Sequence, residues 1–435
     1  MAVTVIKLGG TSQCKVGYDE LVKVIKGKNE GDAIVIVLSA VSGVTNELIN
    51  FTETKSIHHI DAVKDKCQKL LTELGLHFSR IYDEKIKQLD ELCDNYKYNK
   101  TTQLPVFQKA KIIGYGEELS TTILSEYFEY LNIKYSSAHA RRFIRTKKNS
   151  YVLYPSTEFF ANQYNFSDSI PKFGTDVNVV ITEGFIASTP SGDPVLLGRG
   201  GSDTTGALLA NMLDADEYQV WTDVDGIYTS DPRVIKNSKK VDFIDYKLIQ
   251  ELSSMGAKVM HALSIYPCEQ SMIPITVKNT FAMEKSGTVI SNVNNNELFF
   301  AIQKNVTLFK IKSLSMSSGY GFVNQIFQQF TNSHIDVSIV TTSQFEICTT
   351  TEEPSVEKLL ELKVNLEENY EVTMMANCIV VSFVASDIKK YSSKIDLNIV
   401  PSYIIHFGSN GMTLNFVIDQ SNYEKFIEYV NELFE

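Results

Sequence analysis

Val3-Thr4-Val5-Ile6-Lys7-Leu8-Gly9-Gly10-Thr11-Ser12 opens the chain with a short, largely apolar, β-branched run that stops at two glycines. A helical period follows from about Tyr18 to Lys26, and a second apolar run, Ala33 to Leu38, ends at Ser39. Runs of this kind read as central strands of a parallel sheet, because strands covered on both faces lose the apolar–polar alternation. Residues 55–135 are mostly helical in period and rich in charge. The strand signal resumes at Val177–Ile181, Pro194–Leu197 and Glu217–Thr222, with a helix expected after Asp203. Strands alternate with helices to about residue 295, the signature of an α/β sandwich with a largely parallel sheet.

Near Asn296 the rhythm changes. Strands are expected at Val306–Lys312, Ile335–Thr341, Phe345–Thr349 and Tyr370–Met374, with helices at Phe322–Asn332 and Ser355–Lys363. The pattern then restarts with strands at Cys378–Val384, Tyr403–Phe407 and Thr413–Ile418 and a last helix at Tyr423–Phe434. This is a βαββαβ unit given twice. The second copy lacks its last strand, and Leu298–Gln303 is available to complete it by interleaving. The expected domains are 1–296, 297–376 and 377–435, with strand 298–303 lent to the last.

Hydrophobic residues make up 43% of the 435 and charged residues 21%, an ordinary globular balance. A formal net charge of −11 argues against nucleic acid as a partner. The six cysteines form no C-x-x-C pair and no Cys/His zinc spacing, so free thiols in a reducing compartment and no metal centre are expected. The N-terminus MAVTVIKLGG lacks a signal-peptide pattern. The longest apolar run, roughly Ala33 to Val41, falls far short of the about 20 residues that span a bilayer. A cytoplasmic protein without membrane contact is the expectation.

No P-loop, dinucleotide fingerprint or protein-kinase motif is present. Four other clusters stand out. Lys7-Leu8-Gly9-Gly10-Thr11-Ser12 ends a strand in two glycines, which can expose N–H groups to an anion beside a lysine or simply make a tight turn. Leu38-Ser39-Ala40-Val41-Ser42-Gly43-Val44-Thr45-Asn46 puts small hydroxyl residues where open α/β sheets bind ligands, although Ser42 or Thr45 could instead cap a helix. Gly198-Arg199-Gly200-Gly201-Ser202-Asp203-Thr204-Thr205 sets an arginine among glycines before an apolar helix, an arrangement suited to a carboxylate or phosphate. Trp221-Thr222-Asp223-Val224-Asp225-Gly226-Ile227-Tyr228-Thr229-Ser230-Asp231-Pro232-Arg233 reads as a long polar loop, over a nucleotide or merely at the surface. Gly256-Ala257-Lys258 adds a lysine at an expected helix start.

These clusters, with GEELST (Gly116–Thr121), TEGFIAS (Thr182–Ser188) and GAKVMH (Gly256–His261), resemble in motif and order the amino acid kinase family, and within it the aspartokinases. The resemblance runs on through SLSMSSGYGFVNQIF and HIDVSIVTTS into segments similar to that family's paired ACT regulatory modules. It implies a three-layer α/β/α amino acid kinase sandwich followed by two ferredoxin-like modules, and no fused homoserine dehydrogenase. Leu8, Met260 and Ala262 depart from the family pattern by apolar exchange only.

The activity implied is transfer of a phosphoryl group from ATP, carried with Mg2+, to the side-chain carboxylate of L-aspartate. By resemblance, Lys7, Gly9 and Gly10 meet the transferring group, and Asp203 orients Lys7 or its neighbours. Ser39, Thr45, Glu117, Phe185, Arg199, Gly200 and Ser202 hold the amino acid. In this scheme Glu117 takes its ammonium and Arg199 its α-carboxylate. Thr222, Asp223, Tyr228, Arg233 and Lys258 hold ATP. Met316, Ser318, Gly319, Tyr320, Phe322, Val337, Ser338 and Gln344 form an effector site for lysine or threonine. Ser338 and Gln344 replace acids usual in lysine-inhibited members, and Asp336 would compensate by sharing a strand face with Ser338. A homodimer or dimer of dimers is implied. Kinases of glutamate or acetylglutamate, and a catalytically silent amino-acid sensor, are the competing readings. Glu117 and the paired C-terminal modules speak against the other kinases, and Lys7, Arg199 and Lys258 against the silent sensor.

Overall fold

A computed structural model describes residues 2–76, 80–97, 104–146, 159–160, 178–257, 260–313 and 321–435. The chain is mixed α/β and divides into two compact units. The first comprises Met1–Ile227, Lys240–Gln250 and Lys258–Asn294; the second comprises Tyr228–Lys239, Glu251–Ala257 and Asn295–Glu435.

The first unit is built on an eight-stranded sheet. Its order is Phe243–Asp245, Thr288–Ser291, Ile275–Asn279, Glu217–Thr222, Val3–Leu8, Ala33–Leu38, Val179–Glu183, Ser136–Ala138. Only the pair Ile275–Asn279 and Thr288–Ser291 is antiparallel among the recorded pairings. Ala33–Leu38 is buried at every position, as a run covered on both faces requires. Ile6, Leu8, Ile34, Ile36 and Leu38 enter one core with helices Lys15–Gly27, Val44–Thr54, His58–Glu73 and Tyr115–Tyr130. Helix Gly201–Met212 packs on strand Val3–Leu8 and against helix Ala262–Gln270. Its start at Gly201 corrects the expectation of a helix after Asp203: Gly200 at φ +65° turns the chain, and Thr204 N donates to Gly200 O at 2.9 Å.

The second unit holds a six-stranded antiparallel sheet in the order Val340–Thr342, Glu346–Thr351, Phe299–Ser313, Tyr370–Val384, Thr413–Asp419, Ser402–Phe407. Two expected pairs of strands are here single strands of 15 residues, Phe299–Ser313 and Tyr370–Val384. Phe299–Gln303 lies opposite Val380–Val384, and Leu308–Ser313 opposite Tyr370–Met375. Register shifts between Gln303 and Leu308 mark the change, with Asn305 and Asn377 at positive φ. A bulge accommodates extra residues without ending the ladder.

The expected strand Ile335–Thr341 shrinks to Val340–Thr342. Ile335 N closes the preceding helix by donating to Phe330 O at 3.0 Å, so the chain leaves that helix too late to join the sheet at 335. Residues 387–393 give a 3-10 turn, Ile388–Tyr391. No described helix is long and apolar enough to cross a membrane. All six cysteines are free thiols, five of them buried.

Candidate active site

Strands Val3–Leu8 and Ala33–Leu38 end beside a cavity of about 450 Å3, and the N-terminus of helix Gly201–Met212 faces the same space. This is the carboxyl-end location at which open α/β sheets hold ligands. Lys7, Gly9, Gly10, Ser39, Thr45, Glu117, Phe185, Gly200, Ser202, Asp203 and Thr222 all line the cavity.

Lys7 and Asp203 form an ion pair at 2.6 Å, with side chains only 11% and 13% exposed. The two glycines after Lys7 serve backbone packing first. Gly9 N donates to Trp221 O at 3.0 Å. A Cβ on Gly10 would stand 3.0 Å from the Ala40 carbonyl oxygen. This corrects the expectation of a nest built from both N–H groups: Gly9's is spent on the neighbouring strand.

Glu117 is 2% exposed in the first turn of helix Tyr115–Tyr130. Its Oε1 accepts from Ala40 N at 3.2 Å, while Oε2 is buried without a partner. Burial pushes its pKa up to about 8, and the Ala40 N–H opposes that rise. A buried carboxylate with one idle oxygen on a cavity wall is a receptor for a cation or a donor.

Phe185 adopts φ +64° after Gly184 and gives its N–H to Thr205 Oγ1 at 3.0 Å. A Cβ on Gly184 would meet Ser202 Cβ at 2.6 Å, so the TEGF turn packs directly on the GRGGS turn. Ser42 and Thr45 cap nothing. Gly43, at φ +79°, is the N-cap of helix Val44–Thr54, with no side-chain cap bond. Ser42, Gly43 and Asn46 also line the cavity. Their place after a buried strand was the only available signal for them.

Other expected residues lie elsewhere. Arg199 is exposed and not on the cavity wall. Burial, and next the charge of Arg199, lower the pKa of His261. Asp223 is exposed, within 3.2 Å of Thr222 Oγ1. Tyr228 and Arg233 belong to the second unit, where Arg233 forks onto Asp231 at 2.7 Å. The loop before them is braced: Asp225 accepts from Asn279 Nδ2 and Lys285 Nζ, each at 2.6 Å.

Lys258, Met316, Ser318, Gly319 and Tyr320 lie outside the described residues. In the second unit Phe322 and Val337 pack against one core. Ser338 and Gln344 are exposed, Gln344 in the bend before Glu346–Thr351. Asp336 is exposed and not in a strand, so the alternation expected to set it beside Ser338 does not operate.

The amino acid kinase family model matches residues 2–279, more than half of the chain. This chain belongs to the amino acid kinase family. The lysine-sensitive aspartokinase 3 of Escherichia coli (strain K12) is 29% identical over 356 residues, covering 80% of this chain and 78% of that protein. The aspartokinase of Chlamydia muridarum (strain MoPn / Nigg) is 30% identical over 292 residues, covering 66% of this chain; the chain spans 63% of that relative, less than two thirds. Among solved structures, E. coli aspartokinase III in complex with aspartate and ADP matches with a TM-score of 0.85 at 25% identity, over 99% of both chains.

Proposed function

We propose that this family member is an aspartate kinase: it transfers a phosphoryl group from ATP to the side-chain carboxylate of L-aspartate, giving 4-phospho-L-aspartate and ADP. The observation that carries the reading is the buried Glu117 carboxylate, with one idle oxygen, on the same cavity wall as the Lys7–Asp203 pair. The similarity to a kinase that binds aspartate and ADP supports it.

The attacking carboxylate is ionised at neutral pH, since its ordinary pKa is about 3.9. No general base is needed. The barrier is repulsion between an anion and a phosphoryl group, so catalysis is positioning and charge neutralisation. Glu117 takes the substrate ammonium and thereby fixes the amino acid in the cavity. Lys7 neutralises charge on the transferring group, and Asp203 holds the ammonium of Lys7 in place. The N-terminus of helix Gly201–Met212 adds partial positive charge. Arg199, between the cavity-lining Gly198 and Gly200, pairs with the α-carboxylate once substrate is bound, and Thr222 with Asp223 contacts the nucleotide.

Among the described residues no group of three or more His, Cys, Asp or Glu side chains could hold a metal ion. Mg2+ would arrive with the phosphate oxygens and needs only about one or two protein carboxylates; Asp203, on the cavity wall, is the carboxylate at hand. When bound, the ion would screen phosphate charge.

The proposal extends to cytoplasmic biosynthesis of the lysine, threonine and methionine group and to control by an amino-acid effector at the second unit. A homodimer or dimer of dimers is part of it. The deciding experiment is an ATP-dependent hydroxamate assay with aspartate, glutamate and acetylglutamate. Product with aspartate alone is expected. Product with another acid, or none, would replace the reading by another amino acid kinase or by a silent sensor.

A further inference from the structure

Ser12 closes the motif that begins at Lys7, and Thr280 follows the strand Ile275–Asn279; both residues are 0% exposed. Their hydroxyl oxygens lie 2.7 Å apart. Ser12 Oγ also donates to the carbonyl oxygen of Trp221 at 3.2 Å. The same carbonyl accepts the Gly9 N–H at 3.0 Å. Thr280 makes a second bond through its backbone, its N–H donating to Thr222 O at 2.8 Å. Gly9 and Thr222 both line the cavity.

The two hydroxyls carry two protons, and the geometry fixes where each goes. A hydroxyl donates only once. Ser12 spends its proton on Trp221 O, so Thr280 donates to Ser12 Oγ. The reverse order would strand the Thr280 proton, because among the described residues that hydroxyl meets no other partner. The chain of bonds therefore runs from Thr280 to Ser12 to the Trp221 carbonyl. Bonds in such a chain polarise one another, and each is stronger in a dry interior than in water. Little room is left for water here: helix Lys15–Gly27 presses on the turn so closely that a Cβ on Gly17 would stand 2.0 Å from Ser12 O and 3.2 Å from Thr280 Cγ2.

We propose that Thr280 is a positioning residue for phosphoryl transfer: through Ser12 it holds the Gly9–Gly10 turn against the end of strand Glu217–Thr222, and so sets where Lys7 and the turn meet the transferring group. This rests on the reading of the cavity as a kinase site given above. Trp221 O is shared by Gly9 and Ser12, so losing the Ser12 bond loosens the carbonyl on which the turn rests. Thr280 holds Thr222 by its backbone and Ser12 by its side chain, so one residue sets the spacing of two cavity-lining strand ends. A separate brace survives without Thr280. Gln13 Nε2 donates to Leu8 O at 3.3 Å, and Tyr18 OH holds Gln13 Oε1 at 2.7 Å. Cutting the tie thus shifts the turn rather than unfolding it, and a misplacement of about 1 Å costs a reaction up to about 10²-fold.

The test is steady-state kinetics on Thr280→Val, which keeps the shape and the backbone N–H but removes the hydroxyl. We expect kcat to fall roughly tenfold, with KM for aspartate and for ATP within about twofold of wild type. Thr280→Ser restores the hydroxyl and should recover kcat. Ser12→Ala should lose as much as Thr280→Val, and the double variant no more than either, since all three cut one chain of bonds. Every variant is assayed well below its melting temperature, so that lost stability does not register as lost turnover. An unchanged kcat in Thr280→Val, or losses that multiply in the double variant, would overturn the proposal. Should Thr280→Val fail to fold, Ser12→Ala decides alone: wild-type kcat there would sink the idea. Lys7→Ala separates the two levels. If it leaves kcat in place, the cavity is not the site of transfer and both readings fall. If it abolishes turnover while Thr280→Val and Ser12→Ala match wild type, only the role of Thr280 falls.

Discussion

The ammonium of Lys7, at the end of the first strand, lies 2.6 Å from the carboxylate of Asp203, in the first turn of a helix far along the chain. The pair sets the cation's position before any ligand arrives, so little reorganisation is left for the reaction itself. Lys7→Ala should therefore lower kcat on the order of 10²-fold or more, with an unchanged circular dichroism spectrum. Asp203→Asn should cost less, since the cation survives it. Steady-state kinetics on both variants check this; a Lys7→Ala enzyme within a few-fold of wild type would remove Lys7 from the reaction centre.

Gly184 bears on the cavity through packing. A Cβ there would lie 2.6 Å from Ser202 Cβ and 2.9 Å from Ser202 Cα. Gly184→Ala should push the Ser202 turn away from Phe185 and destabilise the fold by about 1–3 kcal/mol. The melting temperature should fall and KM for aspartate should rise more than KM for ATP. An unshifted melting curve would show that the two turns give way freely.

Glu117 also links stability to pH. Its folded pKa, about 8, stands above the ordinary 4.5. The folded chain thus holds a proton that the unfolded chain has released between those values, and the contribution to stability is lost as pH rises through about 8. Glu117→Gln, uncharged at every pH, should gain in melting temperature relative to wild type across that window. The expected advantage is a few kcal/mol at the alkaline end. Parallel melting curves for the two proteins from acid to alkaline pH would refute a raised pKa for Glu117 in the ligand-free fold.

The effector proposal predicts weak inhibition by lysine, or inhibition by a neutral amino acid such as threonine. Ser338 and Gln344 offer no negative charge to an ammonium, and Asp336 is not set beside Ser338 by a strand. An ammonium left unpaired in a closed pocket is penalised, typically by several kcal/mol. An inhibition series with lysine, threonine and methionine decides the point. Potent inhibition by lysine alone would mean that the missing acids are replaced from elsewhere.

Much of this was legible in the residue order. Ala33–Leu38 reads as a buried strand, because six apolar residues in a row leave no face for water and the run is short and β-branched. Gly198-Arg199-Gly200-Gly201 reads as a turn before an apolar helix, and in the fold Gly200 and Gly201 sit where a Cβ would strike His261 and Phe185. The strands expected to end at Gln303 and Met374 and to restart at Val306 and Cys378 instead run on, because asparagine at positive φ, Asn305 and Asn377, lets the ladder pass through a bulge.

The sequence by itself determined the class of fold, the order of the ligand-facing turns and the family, because each rests on short-range pattern: apolar period, glycine spacing and motif order. Only the tertiary structure decided what the individual groups are free to do. Gly9 spends its N–H on Trp221, Lys7 is already paired with Asp203, and Glu117 keeps an idle oxygen. Hydrogen-bond occupancy and charge balance are set by neighbours distant in the chain, and burial decides how much each costs.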